Sequence, residues 1–202
     1  YHIRSLRDRQ QFSDPDGRAE RAGISSASWP IFGVVWPAGI ALAQEMSHFA
    51  VAGKHILEVG CGIGLCSLVL QRRGANITAS DYHPLAEEFL SYNALRNGLP
   101  PIKFQNAPWA ESNPELGRFD LIIGSDLLYE RDHPVQLAAF IACHTESAAN
   151  VIIADPGRTR CGQFSAKMAA DGYSRTEQRL HFVDENTSTP RGRIMNFLRS
   201  HR

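Results

Sequence analysis

The feature that most narrows the fold is a run of glycines at a strand–helix junction. The apolar stretch His55–Gly60 reads as a buried strand. Gly64–Arg73 reads as a helix, with Leu65, Leu68 and Val69 on one face and Gly74 as its stop. Between them Gly60, Gly62 and Gly64 stand at alternate positions. That spacing lets the chain turn sharply and lets a ligand touch bare backbone. The helix that follows presents free N–H groups and the positive end of its dipole, a seat for an anion.

The rest of the chain repeats the strand–helix pattern. Strands are predicted at Ala75–Asp81, Ile102–Ala107, Phe119–Asp126 and Asn150–Asp155, and helices at Pro84–Asn97, Asp132–Cys143 and Gly162–Asp171. Two late extended segments, Tyr173–Phe182 and Arg193–Arg199, have only the turn-rich stretch Val183–Gly192 between them. Alternation of this kind builds a parallel sheet with helices on both faces, and two strands without an intervening helix pair antiparallel at an edge. The expected fold is α/β: a doubly wound, mostly parallel seven-stranded sheet with a C-terminal antiparallel hairpin. Residues 1–28 are polar and weakly periodic and are read as an arm or cap, with residues 29–202 as a single domain. The chain opens on Tyr1 rather than Met, which leaves open a further segment ahead of it.

In such sheets ligands bind beyond the carboxyl ends of the strands, beside the first. Counted from Gly60, a dinucleotide fingerprint would need glycine where this chain has Leu65; the pattern is instead E-x-G-x-G-x-G. S-adenosylmethionine suits it, having no pyrophosphate but a carboxylate for the helix start and an ammonium and a sulfonium for a nearby acid. Glu58 fills that acidic role, or else serves as a buried strand-end carboxylate bonded to backbone amides. Asp81, ending the second strand, accepts the ribose hydroxyls, or caps the helix after Pro84. Asp81 alone does not separate NAD from S-adenosylmethionine.

Bulk properties exclude some partners. Lys and Arg together equal Asp and Glu at 21 each, so the net charge is zero, which argues against a protein that lives on phosphate neutralisation. No apolar run is long enough for a membrane span, and no signal peptide is visible. Cys61, Cys66, Cys143 and Cys161 form no CxxC pair and sit at no zinc spacing, so free thiols, a cytoplasmic location and no metal are expected.

The segments LEVGCGIG, SDYHP and SDLLYE, with VVWPAGIALAQEM upstream and NALRNGL closing the second helix, resemble the class I S-adenosylmethionine-dependent methyltransferases. More narrowly they are similar to the family 16 group, which contains protein-lysine methyltransferases and relatives of nicotinamide N-methyltransferase. The resemblance implies a Rossmann-like methyltransferase fold and S-adenosylmethionine as cofactor. Its acidic-x-x-aromatic motif after the fourth strand is matched by Asp126 and Tyr129, which it places between cofactor and acceptor as the catalytic pair. Asp126 would hold an incoming ammonium by charge and Tyr129 would shape the acceptor channel; the alternative is a capped turn and a packed ring. Trp36, Tyr82, Trp109 and Ser125 join Glu58, Gly60, Gly62, Gly64 and Asp81 as expected cofactor-binding residues, although each tryptophan is as readily a core residue. Asp155-Pro156-Gly157-Arg158 faces the same cleft or forms a plain turn; it is similar to a segment in methyltransferases acting on the electron-transfer flavoprotein beta subunit. The acceptor implied is a protein lysine. A small-molecule acceptor, a non-catalytic module that kept the pocket and an NAD-dependent oxidoreductase are the competing readings.

Overall fold

The strands β1 (His55–Val59), β2 (Asn76–Asp81), β3 (Lys103–Asn106), β4 (Phe119–Ser125), β5 (Thr145–Asp155), β6 (Ser174–Leu180) and β7 (Gly192–Arg199) form one sheet in the order β3-β2-β1-β4-β5-β7-β6. The computed structural model describes residues 1–8, 10–180 and 192–200. Pairing is parallel from β3 through β5, while β7 runs antiparallel to both β5 and β6. The expected hairpin is therefore present, with β7 inside and β6 at the edge. The turn-rich stretch between its strands lies outside the described residues apart from Gly192. The edge position of β6 explains its largely exposed, polar sequence SRTEQRL.

The apolar strands feed two cores, because successive residues point to opposite faces. Leu57, Val59, Ile122, Val151 and Phe197 pack with α5 (His133–His144) and α6 (Cys161–Ala170) on one face. Ile56, Leu121, Ile123 and Ile152 pack with α2 (Pro37–Met46) and α3 (Leu65–Arg72) on the other. α2 opens with Pro37 in its first turn behind the extended Trp36, the position where a missing N–H costs least. Phe164 is fully buried and edge-stacked on Phe197 at 5.4 Å. Phe164→Ala is expected to cost about 3–5 kcal/mol, read as a lowered midpoint in denaturant unfolding with an unchanged slope.

β5 starts at Thr145, five residues before the predicted Asn150. Glu146 and Ser147 carry no apolar signal; pairing of Thr145 with Phe119 and of Ala149 with Arg199 draws the segment into the sheet. The remaining boundaries move by one to three residues at the chain's turns.

The N-terminal segment is fastened to α4 (Ala86–Arg96) rather than trailing. The Arg4 amide donates to Asn93 Oδ1 (2.6 Å) and the His2 amide to Asn97 Oδ1 (2.9 Å). The Arg4 guanidinium lies over the Phe89 ring (4.3 Å). Ala19 of the short helix α1 (Arg18–Arg21) and, after it, Ile24, Trp29 and Phe32 bury against Phe89 and Ile63. This layer brings a 3-10 turn, Trp29–Gly33, against the glycine loop. Among the described residues no helix is long and apolar enough to cross a membrane.

Candidate active site

A cavity of about 350 Å³ opens at the carboxyl ends of β1, β2 and β4, within the size range of small-molecule sites. Its floor is the loop between β1 and α3. Gly62 has φ +53°, and a Cβ there would lie 2.5 Å from the carbonyl oxygen of Phe32, so the 3-10 turn and the loop close on each other only with glycine. Gly60 and Gly62 line the cavity; Gly64 does not. At φ +80° Gly64 starts α3, and a Cβ there would collide with Leu90 at 2.2 Å. Its role is conformational and steric.

Glu58 is buried at the cavity wall. Its Oε2 accepts the Ser67 amide (2.8 Å) and the Ser67 hydroxyl (2.5 Å), capping the first turn of α3 from outside the helix. Burial outweighs these bonds and pushes its carboxyl up to about 7. Glu58 is thus a capping carboxylate that also faces the cavity. The raised folded value means that stability is fully present below the ordinary carboxylate range and is lost as pH rises through about 7. Glu58→Gln is expected to remove this loss. Its thermal midpoint should match the parent's near about pH 4 and exceed it near about pH 8, while affinity for a cationic ligand falls.

Asp81 is pinned by two amides, Gly62 N to Oδ2 (2.8 Å) and His83 N to Oδ1 (2.9 Å). Burial raises its carboxyl above the usual value. Each oxygen keeps a second lone pair for a ligand hydroxyl. The His83 amide bond gives Asp81 its turn-capping role, and Asp81 also lines the cavity.

His83, beside it, went unread in the sequence. Its ring stacks on Phe32 at 3.7 Å and burial pushes it down to about 4. Nδ1 accepts the Leu85 amide (3.2 Å), so the neutral ring carries its proton on Nε2, which is buried at the cavity wall and has no hydrogen-bond partner among the described residues. Nothing in SDYHP separates this ring from an ordinary helix-start residue, because its partners Phe32 and Trp29 are far away in sequence.

Trp36 lines the cavity with its Nε1 donated to the Ile31 carbonyl (2.9 Å). Trp109 lines it while also packing on the larger core, and it meets the His133 ring edge-on at 5.2 Å. Tyr82 and Ser125 are on the wall as well.

The motif after β4 completes the site. Asp126 has φ +56°, a left-handed conformation that aspartate tolerates better than most residues, and its amide continues the ladder to Ala154 O (2.8 Å). Asp126 Oδ1 accepts from Nε of Arg158 (2.7 Å) and from its Nη2 (2.5 Å). The Arg158 guanidinium lies 5.8 Å from the Tyr129 ring. Arg158 is itself set by Asp155, whose Oδ1 accepts the Gly157 and Arg158 amides, both at 2.7 Å. The segment 155–158 is thus a turn that reaches the site through the Arg158–Asp126 pair, and none of its four residues lines the cavity. Burial, with Tyr82 and Asp81 alongside, pushes the Tyr129 hydroxyl up, so it stays protonated. His133 Nδ1 lies 2.6 Å from the Leu127 carbonyl and must donate to it; burial lowers its pKa, so the ring is neutral with its Nε2 lone pair available. One cavity wall therefore brings Asp81 and the bare-backbone loop together with Asp126, Tyr129 and His133.

A family model for lysine methyltransferase matches residues 25–168. The electron transfer flavoprotein beta subunit lysine methyltransferase of Mus musculus is 31% identical over 175 residues, covering 85% of this chain and 64% of that protein. The protein N-lysine methyltransferase METTL21A of Danio rerio is 34% identical over 142 residues, covering 63% of each. The chain spans less than two thirds of the length of either relative. Among solved structures, the ribosomal protein L11 methylase of Lactobacillus delbrueckii subsp. bulgaricus superposes with a TM-score of 0.67 at 19% identity, covering 83% of this chain and 81% of that one.

Proposed function

The chain belongs to the lysine methyltransferase family, and on that premise we propose that it transfers the methyl group of S-adenosylmethionine to a lysine side chain of a protein. One observation carries the reading: a single cavity is lined by both Asp81 with the Gly60–Gly62 backbone and the Asp126–Tyr129 pair. The first set fits a nucleoside bearing an amino acid, and the second borders the place where an acceptor would meet it.

The residues fit the cofactor by their own chemistry. Asp81 offers two amide-pinned oxygens to ribose hydroxyls, and Glu58 offers a carboxyl that regains its charge beside a cation. Leu65 and Cys66, in the first turn of α3, set the positive helix end beside the cavity for a carboxylate. Trp36, Tyr82, Trp109 and Ser125 close its walls. When bound, S-adenosylmethionine supplies a methyl carbon already activated by its sulfonium.

What the protein adds is alignment and exclusion of water, which is worth about 7–11 kcal/mol in well-oriented reactions. Tyr129, held protonated, and Asp126 orient the acceptor nitrogen by hydrogen bonds. A lysine must shed a proton before it attacks, since its reference pKa of about 10.4 leaves it charged at neutral pH.

Because named relatives act on the electron transfer flavoprotein beta subunit, that protein is the first acceptor to try. The free thiols Cys61, Cys66, Cys143 and Cys161 suit a reducing compartment, the cytoplasm. The test is incubation with methyl-labelled S-adenosylmethionine and either this acceptor or a cell extract. Label recovered as methyllysine in the protein fraction is the expected result; label confined to RNA or to small molecules would overturn the lysine assignment.

A further inference from the structure

The imidazole of His133 has one nitrogen fastened and the other unused. Its Nδ1 donates to the Leu127 carbonyl at 2.6 Å. Its ring meets Tyr129 edge-on at 4.6 Å and Trp109 edge-on at 5.2 Å. All three rings line the cavity. Nε2 makes no hydrogen bond among the described residues, yet it is not sealed as the Nε2 of His83 is. With the proton on Nδ1, Nε2 carries a lone pair and no hydrogen. The ring thus brings to the cavity wall a hydrogen-bond acceptor that the protein's own donors leave alone.

We propose that His133 is a further acceptor-binding residue: its Nε2 accepts a hydrogen bond from an N–H of the amine to be methylated, and so turns that nitrogen's lone pair toward the transferred methyl. The inference rests on the proposed reading in taking the acceptor to be an amine bordered by Tyr129.

Magnitudes favour this bond over proton abstraction. Reference values of about 10.4 for lysine and about 6.5 for imidazole set roughly four units against transfer to the ring. Burial lowers the imidazole further. An ammonium therefore gives its proton to solvent, and the neutral amine remains. Its lone pair forms the new C–N bond while the C–S bond breaks and that electron pair goes to sulfur. Nitrogen gains positive charge as this happens, so its N–H becomes a better donor. The bond to Nε2 tightens in the transition state and acts on rate as well as on binding. The Leu127 contact fixes the ring before any substrate arrives.

The charges around the ring leave it neutral. Burial has the largest effect and lowers its basicity. Glu130 and Asp132, exposed on the connection from β4 into α5, raise it, and Arg160, just ahead of α6, lowers it. The connection that carries Trp109 adds the exposed Glu111. Tyr129 and Tyr82 are neutral phenols, both pushed up by burial. Glu58, Asp81 and Asp126 stand elsewhere on the cavity wall and are common to parent and variants. Protonation of His133 at low pH would place a hydrogen on Nε2 and abolish the acceptor.

The probe is n-butylamine, a stand-in for the lysine side chain, titrated by NMR into the S-adenosylhomocysteine complex. Two isosteres separate the nitrogens. The Asn amide ends as many bonds from Cβ as Nδ1 does, so His133→Asn keeps a donor for Leu127 and loses the acceptor. The Gln amide ends where Nε2 does, so His133→Gln keeps the acceptor and loses the Leu127 bond. Near about pH 8, His133→Asn is expected to bind butylamine about twofold to tenfold more weakly than the parent, as befits one hydrogen bond, and His133→Gln to come back within about twofold. A ring that only braces the Leu127 turn gives the opposite order. The ratio of parent to His133→Gln affinity is expected to fall by up to about tenfold per pH unit as His133 protonates, below its ordinary value of about 6.5. The fall should coincide with the titration of the ring's own Cε1–H resonance. Equal binding by parent and His133→Asn, the opposite order of the two variants, a ratio that stays level through that titration, or no saturable butylamine binding would overturn the proposal. So would a loss of S-adenosylhomocysteine affinity in His133→Asn, which would place the ring on the cofactor. Failure of the methyltransferase reading shows elsewhere, as absence of S-adenosylhomocysteine binding to the unaltered protein.

Discussion

Asp81→Ala lowers affinity for S-adenosylhomocysteine by about 10²–10⁴-fold, since it removes two hydrogen bonds to a charged acceptor at about 1.5–3 kcal/mol each. The effect has two sources that a second variant separates. On the proposed reading Asp81 receives ligand hydroxyls, and it fastens the amides of Gly62 and His83. Alanine abolishes both functions and leaves the Gly62 amide without its carboxylate. Asn at the same position keeps one carbonyl oxygen and so preserves part of the loop. Calorimetric titration is expected to rank the affinities as parent, then Asp81→Asn, then Asp81→Ala. The stability cost is smaller than the binding cost, because the loop's remaining bonds, Cys61 N to Ser80 O at 2.9 Å and Gly64 N to Cys61 O at 2.8 Å, do not involve Asp81. A wild-type-like affinity in Asp81→Ala would remove the ribose-binding assignment.

The second large effect belongs to Asp126. Asp126→Ala is expected to lower methyl transfer by about 10²–10³-fold while leaving S-adenosylhomocysteine affinity within about threefold, since a misplaced acceptor alone costs about 10²-fold. Alanine meets a backbone at φ +56°, which costs about 1–2 kcal/mol for a residue with a Cβ and no local side-chain hydrogen bond. It also unpairs Arg158, whose side chain is 35% exposed and relaxes into water, so the penalty stays well below that of a sealed ion pair. Asp126→Asn tolerates the left-handed backbone and keeps an acceptor oxygen, but it loses the charge. It is expected to fold like the parent and still turn over slowly. Equal thermal midpoints for parent and Asn variant, with unequal rates, would assign the loss to the acceptor compartment and not to strain. An unimpaired rate in Asp126→Ala would end that assignment.

These two acids were legible in the sequence for different reasons. Asp81 ends a strand three residues before Pro84, and the sheet rule assigns a function to that position before any coordinate is known. Asp126 was legible through the acidic-x-x-aromatic spacing, yet its partner was not. Arg158 is 32 residues away on the next strand's exit, and only the parallel pairing of β4 with β5 places the two exits side by side. The same distance effect hid His83, which is defined by a ring stack on Phe32, and the fastening of Arg4 to Asn93, 89 residues apart. Gly64 shows the reverse case. Its spacing belonged to the ligand loop, but its conformation and its packing on Leu90 account for the glycine without any ligand. β5 began early for a related reason, since a polar segment becomes strand where neighbours on both sides supply hydrogen bonds. Local periodicity reveals what a segment does alone; side chains recruited across the sheet have no signature in their own neighbourhood.

Calorimetric titration of the purified protein with S-adenosylhomocysteine, run beside an identical titration with NAD, addresses the loop and Asp81 directly. Saturable one-to-one uptake of S-adenosylhomocysteine with no heat from NAD is the outcome expected of a cavity built from Glu58, Gly60, Gly62 and Asp81. Uptake of NAD instead, or of neither, would contradict it.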